Sequence, residues 1–135
     1  MLLFADEHPD LVSGIVLIDP VTPSMASNRF AISYPSYIDT VASAEQVAGI
    51  TDLGDLPLAL VNALDPRMGP IEFEPPETAS HRIEFEAAED DERELLLDYS
   101  TNTFYLELED SGHAVEWDRP DAYVESVRFV LDEVG

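Results

Sequence analysis

The stretch at residues 103–121, TFYLELEDSGHAVEWDRPD, contains a strand, a loop and the start of a helix in one continuous run. Thr103–Leu108 is rich in β-forming residues and nearly alternates, which predicts a strand. Pro120 suits the first turn of a helix, and Asp121 complements the positive end of the helix dipole. The helix that follows carries apolar residues at helical spacing, namely Val124, Val127, Val130, Leu131 and Val134. Residues 103–135 are therefore predicted to form a strand–loop–helix unit.

Two further strands are predicted towards the N-terminus. Ile15–Ile18 and Pro57–Val61 are short apolar runs without alternation, as expected of strands buried on both faces of a parallel sheet. Helical segments are predicted around them, at residues 2–8, 37–47 and 83–99. This order predicts an α/β fold with three parallel strands and flanking helices. Three strands make a narrow sheet with an unpaired edge, so we expect the chain to be cut from a larger fold.

The amino-acid composition restricts the class of protein. The chain has 135 residues, a hydrophobic share of 45% and no cysteine, which predicts one domain with an apolar core and without disulfides or thiolate metal sites. No apolar run approaches the ~20 residues that span a bilayer, and neither a membrane segment nor a signal peptide is expected. A cytoplasmic location is the expectation that follows.

The charge balance is strongly acidic. The net charge is -23, from 29 acidic residues and 6 basic ones, and every basic residue is an arginine. Nucleic-acid binding is not expected, because no basic stripe exists to neutralise phosphates. Apart from the short run Glu89–Glu92, the acids are dispersed, which favours adaptation of the whole surface to a salt-rich cytoplasm, as in a halophile, over an ordinary acidic protein. Molar salt shortens the Debye length to ~3 Å and removes most of the repulsion between such charges.

The loop around the glycine–histidine pair resembles a known pattern. Ser111-Gly112-His113, followed at matching spacing by Arg119-Pro120-Asp121, resembles the histidine loop and final-helix start of the α/β-hydrolases. Residues 3–12 resemble the end of the helix that follows that family's nucleophile. Residues 14–20, 57–65 and 103–108 resemble its sixth, seventh and eighth strands. The resemblance implies a truncated α/β-hydrolase fold, a single partial domain over residues 1–135. Residues 21–54 would be a cap-like insertion, and residues 103–135 the histidine loop and final helix.

The same resemblance implies which residues are catalytic. His113 matches the general base that takes the proton of the nucleophile. The acid that orients it is either Asp19, after the sixth-strand equivalent, or Asp65, after the seventh, and Asp19 is slightly favoured because its local match is more regular. The sequence contains no Gly-x-Ser-x-Gly motif, and a glycine-flanked elbow is also lacking at Ser24, Ser27 and Ser111. The nucleophile is therefore missing, and we expect the chain to be inactive alone.

Other candidate residues carry weaker signals. The spacings of His8, His81 and His113 match no metal motif, and we expect neither a metal nor a cofactor. Trp117 either lines the mouth of the site or packs against the final helix, and packing is favoured.

Two functions are compatible with these observations. The resemblance implies a hydrolase of ester-like or related bonds in the full-length form, with a small-molecule substrate and an N-terminal half that completes the site. The alternative is a non-catalytic module that pairs with a second copy of itself through the exposed sheet edge.

Overall fold

The computed structural model of the chain describes residues 1–20, 40–64 and 95–135. Residues 95–98 are helical and precede the last strand. The other elements are α1 (Leu2–Glu7), a 3-10 turn (Pro9–Leu11), β1 (Ile15–Ile18), α2 (Thr40–Ala48), β2 (Leu58–Ala63), β3 (Thr103–Leu108), α3 (Val115–Asp118) and α4 (Pro120–Val134). In this described part of the chain, no helix combines the length and the apolar character needed to cross a bilayer.

The three strands form one parallel sheet in the order β1-β2-β3. Leu58 at the start of the central strand pairs with Ile15 on one side and with Thr103 on the other. Strands β1 and β3 have the predicted bounds, whereas β2 starts one residue later than predicted and extends to Ala63. The predicted α/β class with three parallel strands and flanking helices is confirmed. Strand β2 is almost wholly buried, while most of β1 is only half-buried because it has one neighbour in the described sheet.

One face of the sheet is covered by α1, α2 and the segment at 95–98. Its core contains Leu2, Ala5, Ile15, Ile50, Leu58, Leu60, Leu96 and Tyr99. The Tyr99 hydroxyl donates a hydrogen bond to the Val47 carbonyl over 3.3 Å, which joins this segment to α2. The described part of the cap-like segment, residues 40–54, therefore packs against the sheet through Val47 and Ile50. Residues 21–39 of that segment, and residues 83–94 of the predicted third helix, lie outside the described residues.

The opposite face is covered by α3 and α4. Its core contains Val61, Leu108, Val115 and Ala122, and the rings of Phe104 and Phe129 stack with centroids 5.3 Å apart. Helix α4 approaches the sheet closely at Gly14, where an added Cβ would overlap the Val130 side chain and lie 3.2 Å from the Pro57 carbonyl oxygen. A glycine therefore allows the start of β1 and the final helix to come together.

The face that α4 buries differs from the predicted apolar stripe. Ala122 and Ser126 are the residues of α4 that are fully buried. Three members of the stripe are substantially exposed: Val124 at 46%, Leu131 at 64% and Val134 at 48%. Small side chains at the contact let the helix lie close to the sheet, so hydrophobicity alone did not identify the buried face. An apolar stripe is thereby left on the outer side of the helix.

Candidate functional site

Two of the three predicted catalytic residues, Asp19 and His113, meet at the carboxyl edge of the sheet. Asp19 directly follows β1, Ala63 is the last residue of β2, and His113 lies in the loop after β3. Because the strands are parallel, their carboxyl ends lie at the same edge, where α/β proteins generally bind ligands. Parallel pairing of three strands thus brings together residues that are far apart in the sequence.

Asp19 is held at this edge by both its backbone and its side chain. Its backbone N–H donates to the Val61 carbonyl over 2.7 Å, and its Oδ1 accepts the Ala63 N–H over 3.2 Å. The residue has a φ of 41°, in the left-handed region that aspartate enters more readily than most residues. The aspartate therefore continues the hydrogen bonding between β1 and β2 while turning the chain out of the strand, which leaves Oδ2 free for another partner.

That partner is the His113 ring. His113 Nδ1 lies 2.7 Å from Asp19 Oδ2, and the two residues are 94 positions apart in the sequence. An ionised carboxylate only accepts hydrogen bonds, so in the neutral ring it selects the tautomer with the proton on Nδ1. Nε2 is then the basic atom of the ring. The His113 side chain is 76% exposed, against 24% for Asp19, so the imidazole is accessible while its partner is largely enclosed.

The loop that carries His113 is closed by bonds between its two ends. Asp118 Oδ2 accepts the Gly112 N–H over 3.0 Å, and Arg119 Nη1 donates to Asp110 Oδ1 over 2.7 Å. Arg119 also forms a two-bonded pair with the Asp121 carboxylate at 3.0 Å and 2.8 Å. Hydrogen bonding from Arg119 lowers the pKa of Asp121 to about 2, and the same bonds raise the pKa of Arg119 above its ordinary range.

From the sequence, the Arg-Pro-Asp motif predicted only the start of a helix. The ion pair between Arg119 and Asp110 and the bond between Asp118 and Gly112 were not predicted. The signal was an arginine placed between acids on both sides of a short loop, and in a chain with 29 acidic residues such a signal is not distinctive.

The buried strand β2 contains a polar residue, Asn62, whose side-chain hydrogen bond was not predicted from the sequence. Asn62 is 3% exposed and donates from Nδ2 to the Tyr105 hydroxyl over 3.1 Å. Tyr105 in turn donates to Glu107 Oε1 over 2.6 Å, and Glu107 pairs with Asn62 in the register of the sheet. This chain of bonds satisfies the buried amide of Asn62.

The other candidates among the described residues do not join this site. The Ser111 hydroxyl is buried and donates to the Gly112 carbonyl over 3.0 Å. His8 is exposed at the end of α1, and its ring centroid lies 4.8 Å from that of Phe4. Trp117 is 81% exposed, so the packing prediction for it was wrong.

Four residues considered in the sequence lie outside the described residues, namely the alternative acid Asp65, the histidine His81 and the serines Ser24 and Ser27. Within residues 1–20, 40–64 and 95–135, no three histidine or acidic side chains converge in a way that would hold a metal ion.

Comparison with known proteins finds no significant match to a protein-family model, a curated protein or a solved structure. The described residues nevertheless define a class of arrangement, a small α/β layer with a parallel sheet and a carboxylate–imidazole pair at its carboxyl edge. Chemically, such a pair can accept a proton from a hydroxyl or from water and return it to a leaving group.

Proposed function

We propose that the chain is the C-terminal half of an α/β-hydrolase-type enzyme and contributes the base and the orienting acid of its catalytic triad. The observation that carries the proposal is the bond of 2.7 Å between Asp19 and His113 at the carboxyl edge. The acid precedes the histidine in the chain, which is the order of the triad in this fold. The parallel order β1-β2-β3, followed by a final helix, is compatible with the sixth to eighth strands of that fold.

In the proposed reaction His113 acts as a general base. Its Nε2 takes the proton of a hydroxyl nucleophile while the hydroxyl oxygen forms a bond to the carbonyl carbon of an ester. The proton then passes to the leaving alkoxide as the ester C–O bond breaks. Asp19 holds the ring in the required tautomer and stabilises the imidazolium that forms between these steps. Asp19 fills the role of the acid because its Oδ2, which does not bond the backbone of β2, contacts the ring.

The hydroxyl nucleophile is proposed to come from polypeptide outside these 135 residues. The sequence contains no Gly-x-Ser-x-Gly elbow, and Ser111, two positions before His113, has its hydroxyl bonded to a backbone carbonyl. An elbow of this kind is also needed because the amide after the nucleophile forms part of the oxyanion hole. The substrate would be a small molecule with an ester-like or related bond.

The test begins with the DNA upstream of the codon for Met1. A reading frame that encodes Gly-x-Ser-x-Gly would be joined to this chain, and the product assayed on p-nitrophenyl esters in molar potassium chloride. We expect activity that falls by about 10⁶ in His113→Ala and by about 10⁴ in Asp19→Asn, as in other enzymes with such a triad. His8→Ala is the matched control and should retain full activity.

Two results would contradict the proposal. Joined protein that hydrolyses esters equally well with and without the His113 imidazole would remove the histidine from the mechanism. Esterase activity of the 135-residue chain by itself, or its labelling by a fluorophosphonate, would show that a nucleophile is already present.

A second candidate function is a non-catalytic module that pairs with a second copy of itself. It is favoured by the half-buried outer strand β1 and by the exposed stripe of α4 formed by Val124, Leu131 and Val134. Unpaired strand edges and exposed apolar stripes are typical sites of association. Light scattering in molar salt would show a dimer if this function holds, and a monomer at micromolar concentration would count against it.

A further inference from the structure

We propose that Arg119 is a positioning residue for His113, and that it acts through its bond to Asp110. The inference rests on the proposed function in so far as the Asp19–His113 pair is the catalytic acid and base. It adds a residue that touches neither of these two side chains in any described contact, and whose effect on the reaction would be indirect.

The Arg119 guanidinium contacts its two acidic partners in different ways. Two of its nitrogens bind the Asp121 carboxylate, which is only two positions away at the start of α4. A third nitrogen, Nη1, binds Asp110 across nine positions. The local pair with Asp121 fixes the orientation of the guanidinium, because a two-bonded fork allows little rotation. The bond to Asp110 then closes the loop that contains His113.

His113 depends on this closure because it has little packing of its own. Its side chain is 76% exposed, and within residues 1–20, 40–64 and 95–135 the contact that the structure gives it is the hydrogen bond to Asp19. The loop around it is anchored by the buried residues Ser111 and Val115, by the bond from Gly112 to Asp118, and by the Arg119–Asp110 pair. The direction of the imidazole is therefore set by the backbone conformation of the loop, and Arg119 joins the two ends of this loop through its bond to Asp110.

An ordinary surface ion pair is the competing explanation. The side chains of Arg119 and Asp110 are 31% and 67% exposed, and exposed ion pairs contribute little to stability. Such a pair would change the melting temperature at most slightly and would leave the His113–Asp19 bond unaltered in the folded state. A positioning residue predicts the opposite, a change in that bond in protein that is still folded.

The two explanations are separated by NMR of the whole chain, labelled with ¹⁵N, in molar potassium chloride and well below the melting temperature of each variant. The ring nitrogens of His113 report the fraction of molecules in which Nδ1–H is bonded to Asp19, and activity is not needed for this readout. In Asp110→Ala we expect the ratio of bonded to unbonded ring to fall about five-fold, the effect of losing one ordinary hydrogen bond. Asp110→Asn retains an acceptor oxygen and should restore most of the bonded fraction.

Matched variants complete the design. Asp121→Ala removes the local pair and should have a smaller effect on His113 than Asp110→Ala. Arg128→Ala removes an exposed arginine of α4, the helix that follows Arg119, and should have no effect. If Arg119→Ala does not fold, Asp110→Ala still tests the proposal because it leaves the guanidinium and its local partner in place.

The outcomes distinguish this inference from the proposed function. An unchanged His113 signal in Asp110→Ala, with or without a lower melting temperature, would show that Arg119 is only structural. A larger effect in Asp121→Ala than in Asp110→Ala would also overturn the inference. Loss of the bonded signal in Asp19→Gly, which removes the acceptor and suits the left-handed backbone, verifies the pair itself, and if that signal were the same in wild type and Asp19→Gly, the proposed function would fail first.

Discussion

Substitution of Asp19 separates the contribution of its carboxylate from that of its unusual backbone conformation. The side chain accepts the Ala63 N–H and contacts the His113 ring, and the residue has a φ of 41°. Asp19→Gly removes both bonds but suits a left-handed backbone. Asp19→Ala removes the same bonds and adds a Cβ that this backbone disfavours. Asp19→Asn keeps an acceptor oxygen and tolerates the conformation almost as well as aspartate does.

The magnitudes follow from these contacts. Each of the two bonds contributes about 1 kcal/mol to the free energy of unfolding, since the imidazole is exposed and the bond to it is weakened by water. The left-handed conformation costs alanine roughly 1 kcal/mol more than glycine. We therefore expect losses of about 3 kcal/mol for Asp19→Ala, about 2 kcal/mol for Asp19→Gly and about 1 kcal/mol for Asp19→Asn.

The measurement is urea unfolding at a fixed molar concentration of potassium chloride, followed by far-ultraviolet circular dichroism. The order Asn, Gly, Ala is the diagnostic result, and the difference between the last two isolates the backbone term. If alanine and glycine gave the same stability, the φ of Asp19 would carry no strain. If all three variants matched the wild type within ~0.5 kcal/mol, a typical effect of a surface substitution, the carboxylate bonds would not form in solution.

Three further perturbations test the packing, the ion pair and the charge. Gly14→Ala should lower the free energy of unfolding by ~1–3 kcal/mol, because the added Cβ overlaps Val130. The double variant with Val130→Ala should recover part of this loss. If the losses of the two single variants simply added in urea unfolding, the contact would be contradicted. Asp121→Asn should be less stable than wild type above pH 3.8, because the pKa of Asp121 is lower in the folded state than in the unfolded state. The difference in melting temperature should vanish as the pH falls through about 2. A constant difference down to that pH would exclude the pairing with Arg119. Raising potassium chloride from 0.1 M to molar levels should raise the melting temperature of a chain of net charge -23, because the Debye length falls from ~10 Å to ~3 Å. A melting temperature insensitive to salt would contradict the proposed adaptation to a salt-rich cytoplasm.

The α/β layer could be predicted because its signals are local. A strand buried on both faces of a parallel sheet requires a continuous apolar run, and Ile15–Ile18 and Pro57–Val61 provide it. The proline and the acid at the start of α4 are also local signals, and this helix begins where they predict. The pairing of Asp19 with His113 was favoured only through a resemblance, since nothing within either segment specifies a partner 94 positions away.

Hydrophobicity alone did not identify the buried side chains at two places. Trp117 was expected to pack and is 81% exposed, and the apolar stripe of α4 lies largely outside while Ala122 and Ser126 are buried. Hydrophobicity states which side chains gain from burial, but the helix rests where short side chains permit the closest approach to the sheet. The closeness of this contact between helix and sheet decides which side chains of the helix stay exposed.

The amino-acid sequence by itself determined the three strands, the parallel α/β class and the strongly acidic surface, because apolar runs, helix-start signals and charge are properties of neighbouring residues. Only the tertiary structure decided that Asp19 contacts His113, that Arg119 closes the histidine loop, and which side of the last helix is buried. These features depend on the register of the strands and on distances of about 3 Å between distant segments, which the lengths of intervening chain do not specify.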